Sequence, residues 1–231
     1  MRTRIIVLQS SEISRSMGAK CIARAKEFGI EAEIFPGIHG KDAHQILHDL
    51  GLRQYKSKMK GGRLGVLGCF LSHYFLWTEC VENNDPFMIL EHDAWMLRPL
   101  PENVLDLFPD VLKLDSLDPY SKTYNKKLSE QNEEITIWSL HDREVHGKLE
   151  HSRGLYSMGG YGYIIKPHAA AHIIEQCNMY GFRPADHQLH TTDEIDIHHI
   201  SPSIVRIHED YHDLRAMKTM SLTRNLEANS S

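Results

Sequence analysis

The chain lacks several features that would fix its class at once. No apolar run among its 231 residues approaches 18, the length that a membrane-spanning helix needs. The opening stretch, Met1 to Gln9, holds too short an apolar segment for a signal peptide, so a cytoplasmic protein is expected. Cysteines number four, Cys21, Cys69, Cys80 and Cys177, widely spaced and without a CxxC pair. That pattern suggests neither a zinc ribbon nor a disulfide framework, and it fits a reducing compartment. Sixteen histidines are present, some clustered as His187/His190 and His198-His199, but the helical HExxH arrangement of zinc hydrolases is missing. Most of them are expected at the surface or behind a site. There is no excess of basic charge: the formal net charge is −5, which argues against a dominant nucleic-acid surface while leaving room for a local groove. Internal repeats, low-complexity tracts and linkers are also absent.

What is present is ordinary in bulk, with 41% hydrophobic and 25% charged residues, the composition of a soluble globular protein. The length suits one domain, placed at residues 1–208, followed by a polar tail at 209–231. The stretch that organises the rest is Phe87-Met88-Ile89-Leu90-Glu91-His92-Asp93-Ala94. Four apolar residues without polar alternation predict a short strand buried on both faces. Asp85-Pro86 is the turn that feeds it, and two carboxylates two residues apart close it. In open α/β sheets ligands sit just beyond the carboxyl ends of strands. An acid-x-acid pair there suits a divalent cation, since hard cations take carboxylate oxygens and bridge to phosphate. A solvated turn after a core strand would look the same.

Elsewhere strands and helices alternate. Arg4 to Leu8 is a β-type run; Ser10 to Ser14 offers helix-capping chemistry, and apolar residues then recur at helical spacing up to Gly29. Glu31 to Phe35 reads as a second strand, giving a parallel pair with a right-handed crossover. Arg15, in the first turn after strand one, could reach a phosphate or nucleobase, or be a plain surface arginine. A modest helical pattern covers Ala43 to Leu50. Tyr55 to Arg63 (YKSKMKGGR) is either a mobile basic flap over an anion or a solvated loop. Gly65 to Val81 is the clearest helix, with Leu67, Phe70/Leu71, Tyr74, Trp77 and Val81 on one stripe. Gly68 and Cys69 permit close approach of another backbone. Ser72 and His73 flank the stripe as polar candidates to face a ligand, although by position alone His73 equally suits a satisfied core histidine. Further on, Glu102 to Phe108 suggests a short helix, Asp110 to Asp115 an alternating strand, and Glu134 to Trp138 another strand. A glycine-rich β run at 157–165 precedes a helix opened by Pro167. Asp186 falls in a short connection, and Pro202 to His208 forms the last strand.

Several of these segments, taken in order, resemble glycosyltransferase family 25, the bacterial lipooligosaccharide galactosyltransferases and their collagen-modifying relatives. The segments are Ile6-Val7-Leu8 with Ser14-Arg15, Phe35 to Gly40, Gly65 to His73 with Trp77, Ile89 to Ala94, Gly160 to Ile165 with Ala169, and Pro184-Ala185-Asp186. His39 and His92 each stand where the family has an acid. The resemblance implies a GT-A fold, a mostly parallel sheet with helices on both faces, binding a nucleotide-sugar at the strand ends. It implies Mn²⁺ or Mg²⁺ held by Asp93, with Glu91 and His208 as further ligands. Arg15, Ser72, His73 and Glu91 would contact the UDP-sugar, and Asp186 would be the general base, with Asp115 in reserve. The expected reaction is transfer of a hexose, galactose foremost, to a glycan or lipooligosaccharide hydroxyl. Two other readings stay open: transfer to modified DNA or to a protein side chain, and a non-catalytic sugar-nucleotide-binding module.

Overall fold

The computed structural model describes residues 1–54, 64–115, 135–139, 160–191 and 194–208. The Tyr55–Arg63 loop, the polar stretches at 118–133 and 141–153, and the 209–231 tail lie outside them.

β1 (Arg2–Val7) buries every second residue, Thr3, Ile5 and Val7, as a half-covered strand should. α1 (Glu12–Glu27) starts where Ser11 accepts a hydrogen bond from the Ser14 N–H and stops before Gly29, whose φ of 75° no β-branched residue would take easily. β2 (Glu33–Pro36) returns parallel to β1. α2 (Gly40–Asp49) and α3 (Leu64–Asn83) follow, and β3 (Phe87–Glu91) comes next, its first four residues all buried. β4 (Ala94–Met96), a 3-10 turn at Val104–Asp106, β5 (Val111–Lys113), β6 (Thr136–Ser139) and β7 (Gly162–Ile165) lead to α4 (Pro167–Tyr180) and α5 (Ala185–Thr191). β8 (Ile197–Ser201) and β9 (Val205–Ile207) close the described chain.

Seven strands form the main sheet in the order β2-β1-β3-β7-β5-β8-β6, and β4 pairs with β9 in a separate ribbon. β2, β1, β3, β5 and β8 run one way; β7 and β6 run against them. The sheet is therefore mostly parallel, and it is covered on both faces as expected. On one face Phe87, Ile89, Tyr163, Ile165 and Val111 pack with α2, α3 and α4. On the other Met88, Leu90, Ile164 and Leu112 pack with Met17, Cys21 and Ala25 of α1 and with the β4–β9 ribbon.

The interior position of β5 corrects one expectation. An alternating strand at 110–115 would turn Lys113 to solvent, yet Lys113 is wholly buried, because β7 and β8 flank β5 and helices cover the sheet. Register places Tyr163, Lys113 and His199 side by side across three strands, a polar row inside the α3 face. The His198-His199 pair, among the histidines expected at the surface or behind a site, belongs to β8, and His199 is fully buried. The predicted helix at 102–108 contracts to the 3-10 turn, and the predicted connection around Asp186 is a helix, α5, which packs against α3 through buried Leu189.

Burial lowers the His199 pKa from 6.5 to about 4, with Asp115 pulling upward and Lys113 downward. The ring is neutral in the fold at neutral pH but takes a proton more readily when unfolded. Stability from this group is present above pH 6.5 and is lost as pH falls toward 4, to a total of about 3 kcal/mol. Urea melts across this range should show that loss in the parent chain, and His199→Asn should flatten the slope whatever its effect at pH 7.

A candidate active site at the tip of β3

Glu91 ends β3 on the face that carries Phe87 and Ile89, so its side chain turns toward α3. There it meets His73, whose Nε2 lies 3.5 Å from Glu91 Oε1. The imidazole is fully buried and held from behind. Trp77 donates its indole N–H to the Tyr163 hydroxyl oxygen at 2.8 Å, and the same hydroxyl lies 2.8 Å from His73 Nδ1. The backbone crosses above the pair at Gly160, where an added Cβ would stand 3.4 Å from Glu91 Oε1 and 3.8 Å from His73 Nε2. The Glu91 N–H donates to the Tyr161 carbonyl at 2.9 Å, which fixes that crossing.

In front of this pair opens a cleft of about 90 Å³, lined by Ile6, Leu8, Ile38, Cys69, His73, Glu91 and His92 among others. Its walls approach closely because glycines allow it. A Cβ on Gly68 would meet the Ile38 carbonyl oxygen at 2.5 Å, so the close approach expected of Gly68 is real. Burial pushes the Glu91 pKa up, but the adjacent His73 imidazole, with the charges of His92 and Lys113, brings it below the usual carboxylate value. Glu91 is therefore ionised at neutral pH. Cys69 shows the reverse field: burial first, then the charges of Glu91, Asp186 and Asp93, hold its thiol well above the ordinary value. Three carboxylates thus act on one point of the cleft floor.

The structure places the sequence-derived candidates unevenly. Glu91 and His73 are in contact at the cleft, as described. Ser72 lines the cleft too, but its hydroxyl is committed to backbone, donating to the Gly68 carbonyl at 2.8 Å and accepting the Ile38 N–H at 2.9 Å. Arg15 is exposed on α1 and donates to the Gln9 carbonyl. Asp93 is buried in the turn between β3 and β4, and its charge is felt by Cys21 of α1 as well as by Cys69. It lies past the end of β3 and is not part of the donor group that gathers around Glu91. His208 reaches Asp93 through the β4–β9 ribbon, its N–H donating to the Asp93 carbonyl at 2.8 Å, and its ring meets Trp95 edge-on at 4.5 Å. Asp186, in the first turn of α5, accepts the His187 N–H at 2.9 Å. Asp115 is buried 3.8 Å from Lys113 Nζ. Among the described residues, donor atoms of a group of three gather within 4.8 Å at Cys69, His73 and Glu91; Glu91, Asp93 and His208 do not form such a group.

Sequence reasoning missed Tyr163, Lys113 and the ligand potential of Cys69. The spacing of Cys69 and His73, four residues on one helix, was the signal available for the last. Tyr163 and Lys113 carry none, since each reads as an ordinary strand residue.

Comparison with known proteins bears on this site. The family profile described as Glycosyltransferase family 25 (LPS biosynthesis protein) matches residues 3–189. A "Glycosyltransferase 25 family member" of Aedes aegypti is 24% identical over 170 residues, covering 69% of this chain and 26% of the relative. One of the same description from Anopheles gambiae is 25% identical over 171 residues, 70% of this chain and 27% of the relative. The matched segment thus spans about a quarter of those relatives. A solved glycosyltransferase involved in glycosylation of the major capsid of PBCV-1 aligns over 81% of this chain and 73% of its own, at 10% identity and a TM-score of 0.32, too loose a likeness to bear on the site.

Replacing Tyr163 by Phe keeps the core volume but strips the partner from both the Trp77 N–H and His73 Nδ1. Two buried polar groups left unpaired should cost about 2–4 kcal/mol, measured by urea denaturation. A loss under about 0.5 kcal/mol would show that the Tyr163 hydroxyl does not hold α3 to the sheet.

Proposed function

This chain belongs to glycosyltransferase family 25, and from that premise we propose that it transfers a hexose, galactose foremost, from a UDP-sugar to a hydroxyl of a glycan acceptor with the help of a divalent cation. The family match carries the transferase class. The observation supporting the site is Glu91 itself, which lines the cleft at the end of β3 beside His73.

Carboxylates at the tip of β3 would suit a hard divalent ion such as Mn²⁺ or Mg²⁺. Asp93 would hold it, with Glu91 and His208 as further ligands only if their donor atoms, which form no group of three with Asp93 in the structure, come together on binding. When bound, the ion would offset the negative charge that develops on the leaving diphosphate. The chain's own residues do the remainder. The apolar wall of Ile6, Leu8 and Ile38 would take the flat face of the uracil. Glu91, kept ionised and oriented by His73, would accept a hydrogen bond from a hydroxyl of the donor. Asp186 would take the proton from the acceptor hydroxyl as it attacks.

Transfer to modified DNA is less well supported. The net charge of −5 opposes a polyanion, and the YKSKMKGGR loop lies outside the described residues.

Mn²⁺ together with UDP-galactose should raise the melting temperature of the chain by mass action, more than either alone. Asp93→Asn is expected to remove the metal-dependent part of turnover, a fall of roughly a hundredfold or more. Asp186→Asn should lower kcat with little change in donor KM. Unaltered turnover in the first variant would take Asp93 out of the metal site, and a pure KM effect in the second would make Asp186 a positioning residue.

A further inference from the structure

Cys69 and His73 lie four residues apart on α3, so both side chains leave the same face of the helix. Glu91 meets them from the end of β3. Sulfur, ring nitrogen and carboxylate oxygen all lie within 4.8 Å of one another at the floor of the cleft. We propose that Cys69, His73 and Glu91 form a binding site for a borderline-soft divalent cation of the zinc class, with its remaining coordination position open to the cleft.

Four observations support this assignment. First, His73 Nε2 is fully buried and makes no hydrogen bond among the described residues. Its distance of 3.5 Å from Glu91 Oε1 is long for a hydrogen bond but close to the roughly 3.4 Å that separates N and O ligands on a tetrahedral zinc ion. Second, the ring is fixed by contacts on its far side, as metal-binding imidazoles are. With Nε2 on a cation, Nδ1 carries the imidazole proton and donates it to the Tyr163 oxygen, which also accepts the Trp77 N–H; the cost is that the phenol proton turns elsewhere. Third, Gly160 leaves free the volume that a Cβ would fill beside both His73 Nε2 and Glu91 Oε1. Fourth, the donor set is one sulfur, one nitrogen and one oxygen. Thiolate and imidazole favour zinc or cobalt, whereas magnesium and manganese prefer oxygen alone. On binding, the Cys69 thiol gives up its proton to solvent and the thiolate takes the metal; Glu91 is already ionised.

The site shares Glu91 with the oxygen-rich one proposed around Asp93 but differs from it in donor chemistry, and its test needs neither sugar donor nor acceptor. A chain that binds cobalt here but transfers no sugar would sink the transferase reading alone.

The experiment is titration of the full chain with Co²⁺ alone, read by absorption. Expected are a sulfur-to-cobalt charge-transfer band, the strong visible bands of a four-coordinate ion, saturation at one Co²⁺ per chain, and displacement by Zn²⁺ but not by Mg²⁺. Cys69→Ser should abolish the charge-transfer band and weaken binding tenfold or more, and His73→Gln should weaken binding comparably. On the unaltered chain, which needs no variant to fold, Zn²⁺ should slow alkylation of Cys69, followed by peptide mass, while Mg²⁺ should not. A band that survives Cys69→Ser, a six-coordinate spectrum without one, or alkylation of Cys69 indifferent to Zn²⁺ would each overturn the proposal.

Discussion

One phenol oxygen ties the central sheet to the helix that covers it. Tyr163 sits on β7, fully buried, and its hydroxyl is shared by Trp77 and His73 of α3. In a low-dielectric interior such bonds are strong when made and expensive when broken. They forbid α3 from sliding by a turn or rotating about its axis, because either motion strands two polar groups in the core. A second tie acts one residue before His73. Ser72 bonds to both the Gly68 carbonyl and the Ile38 N–H, and Gly68 and Gly40 lack the Cβ atoms that would collide there. Between these two points His73 has little freedom, and neither does the cleft wall beneath it.

The charge at that wall is unbalanced by construction. Glu91, Asp93 and Asp186 all act on Cys69, and the buried cation within reach of Glu91 is Lys113. Lys113 is itself drawn toward Asp115, 3.8 Å away, while burial leaves neighbouring His199 neutral near pH 7. Among the described residues, the inner row of Tyr163, Lys113 and His199 thus supplies one positive charge to a region where several carboxylates act. Carboxylates beside apolar walls favour cations. That holds for a hard ion at Asp93 and for a softer one at Cys69 alike.

The scaffold was readable because its elements obey period and capping rules. Phe87 to Leu90 shows a doubly buried strand by having no polar alternation, and the α3 stripe through Trp77 follows helical spacing. Ser11 and Gly29 bracket α1 with cap chemistry. What stayed hidden depends on neighbours far along the chain. Lys113 looks like the polar half of an alternating strand until β7 and β8 are known to enclose it. Nothing local marks His198-His199 as part of an interior strand until β8 is paired on both sides. The acid-x-acid spacing of Glu91 and Asp93 suggested a pair for one divalent cation, but the strand stops at Glu91, Asp93 lies in the turn beyond it, and Glu91 gathers instead with Cys69 and His73. The partners of Glu91 proved to be on a helix that precedes it, which no local pattern announces.

The two histidines that depart from the family pattern fit one physical account. His39 takes over a capping duty that needs only an acceptor: its Nδ1 receives the Lys41 N–H at 3.2 Å at the start of α2. His92 faces the cleft, where its charge helps draw the Glu91 pKa down. A carboxylate in its place would push that pKa up by like-charge repulsion. Compared with an acid at that position, His92 offers no carboxylate oxygen at the tip of β3 and favours ionisation of the acid beside it. With nitrogen and sulfur donors from α3 already turned toward that acid, the balance at the cleft floor shifts from purely oxygen ligation toward mixed ligation. Which cation the tip of β3 selects is then decided by α3 as much as by the strand.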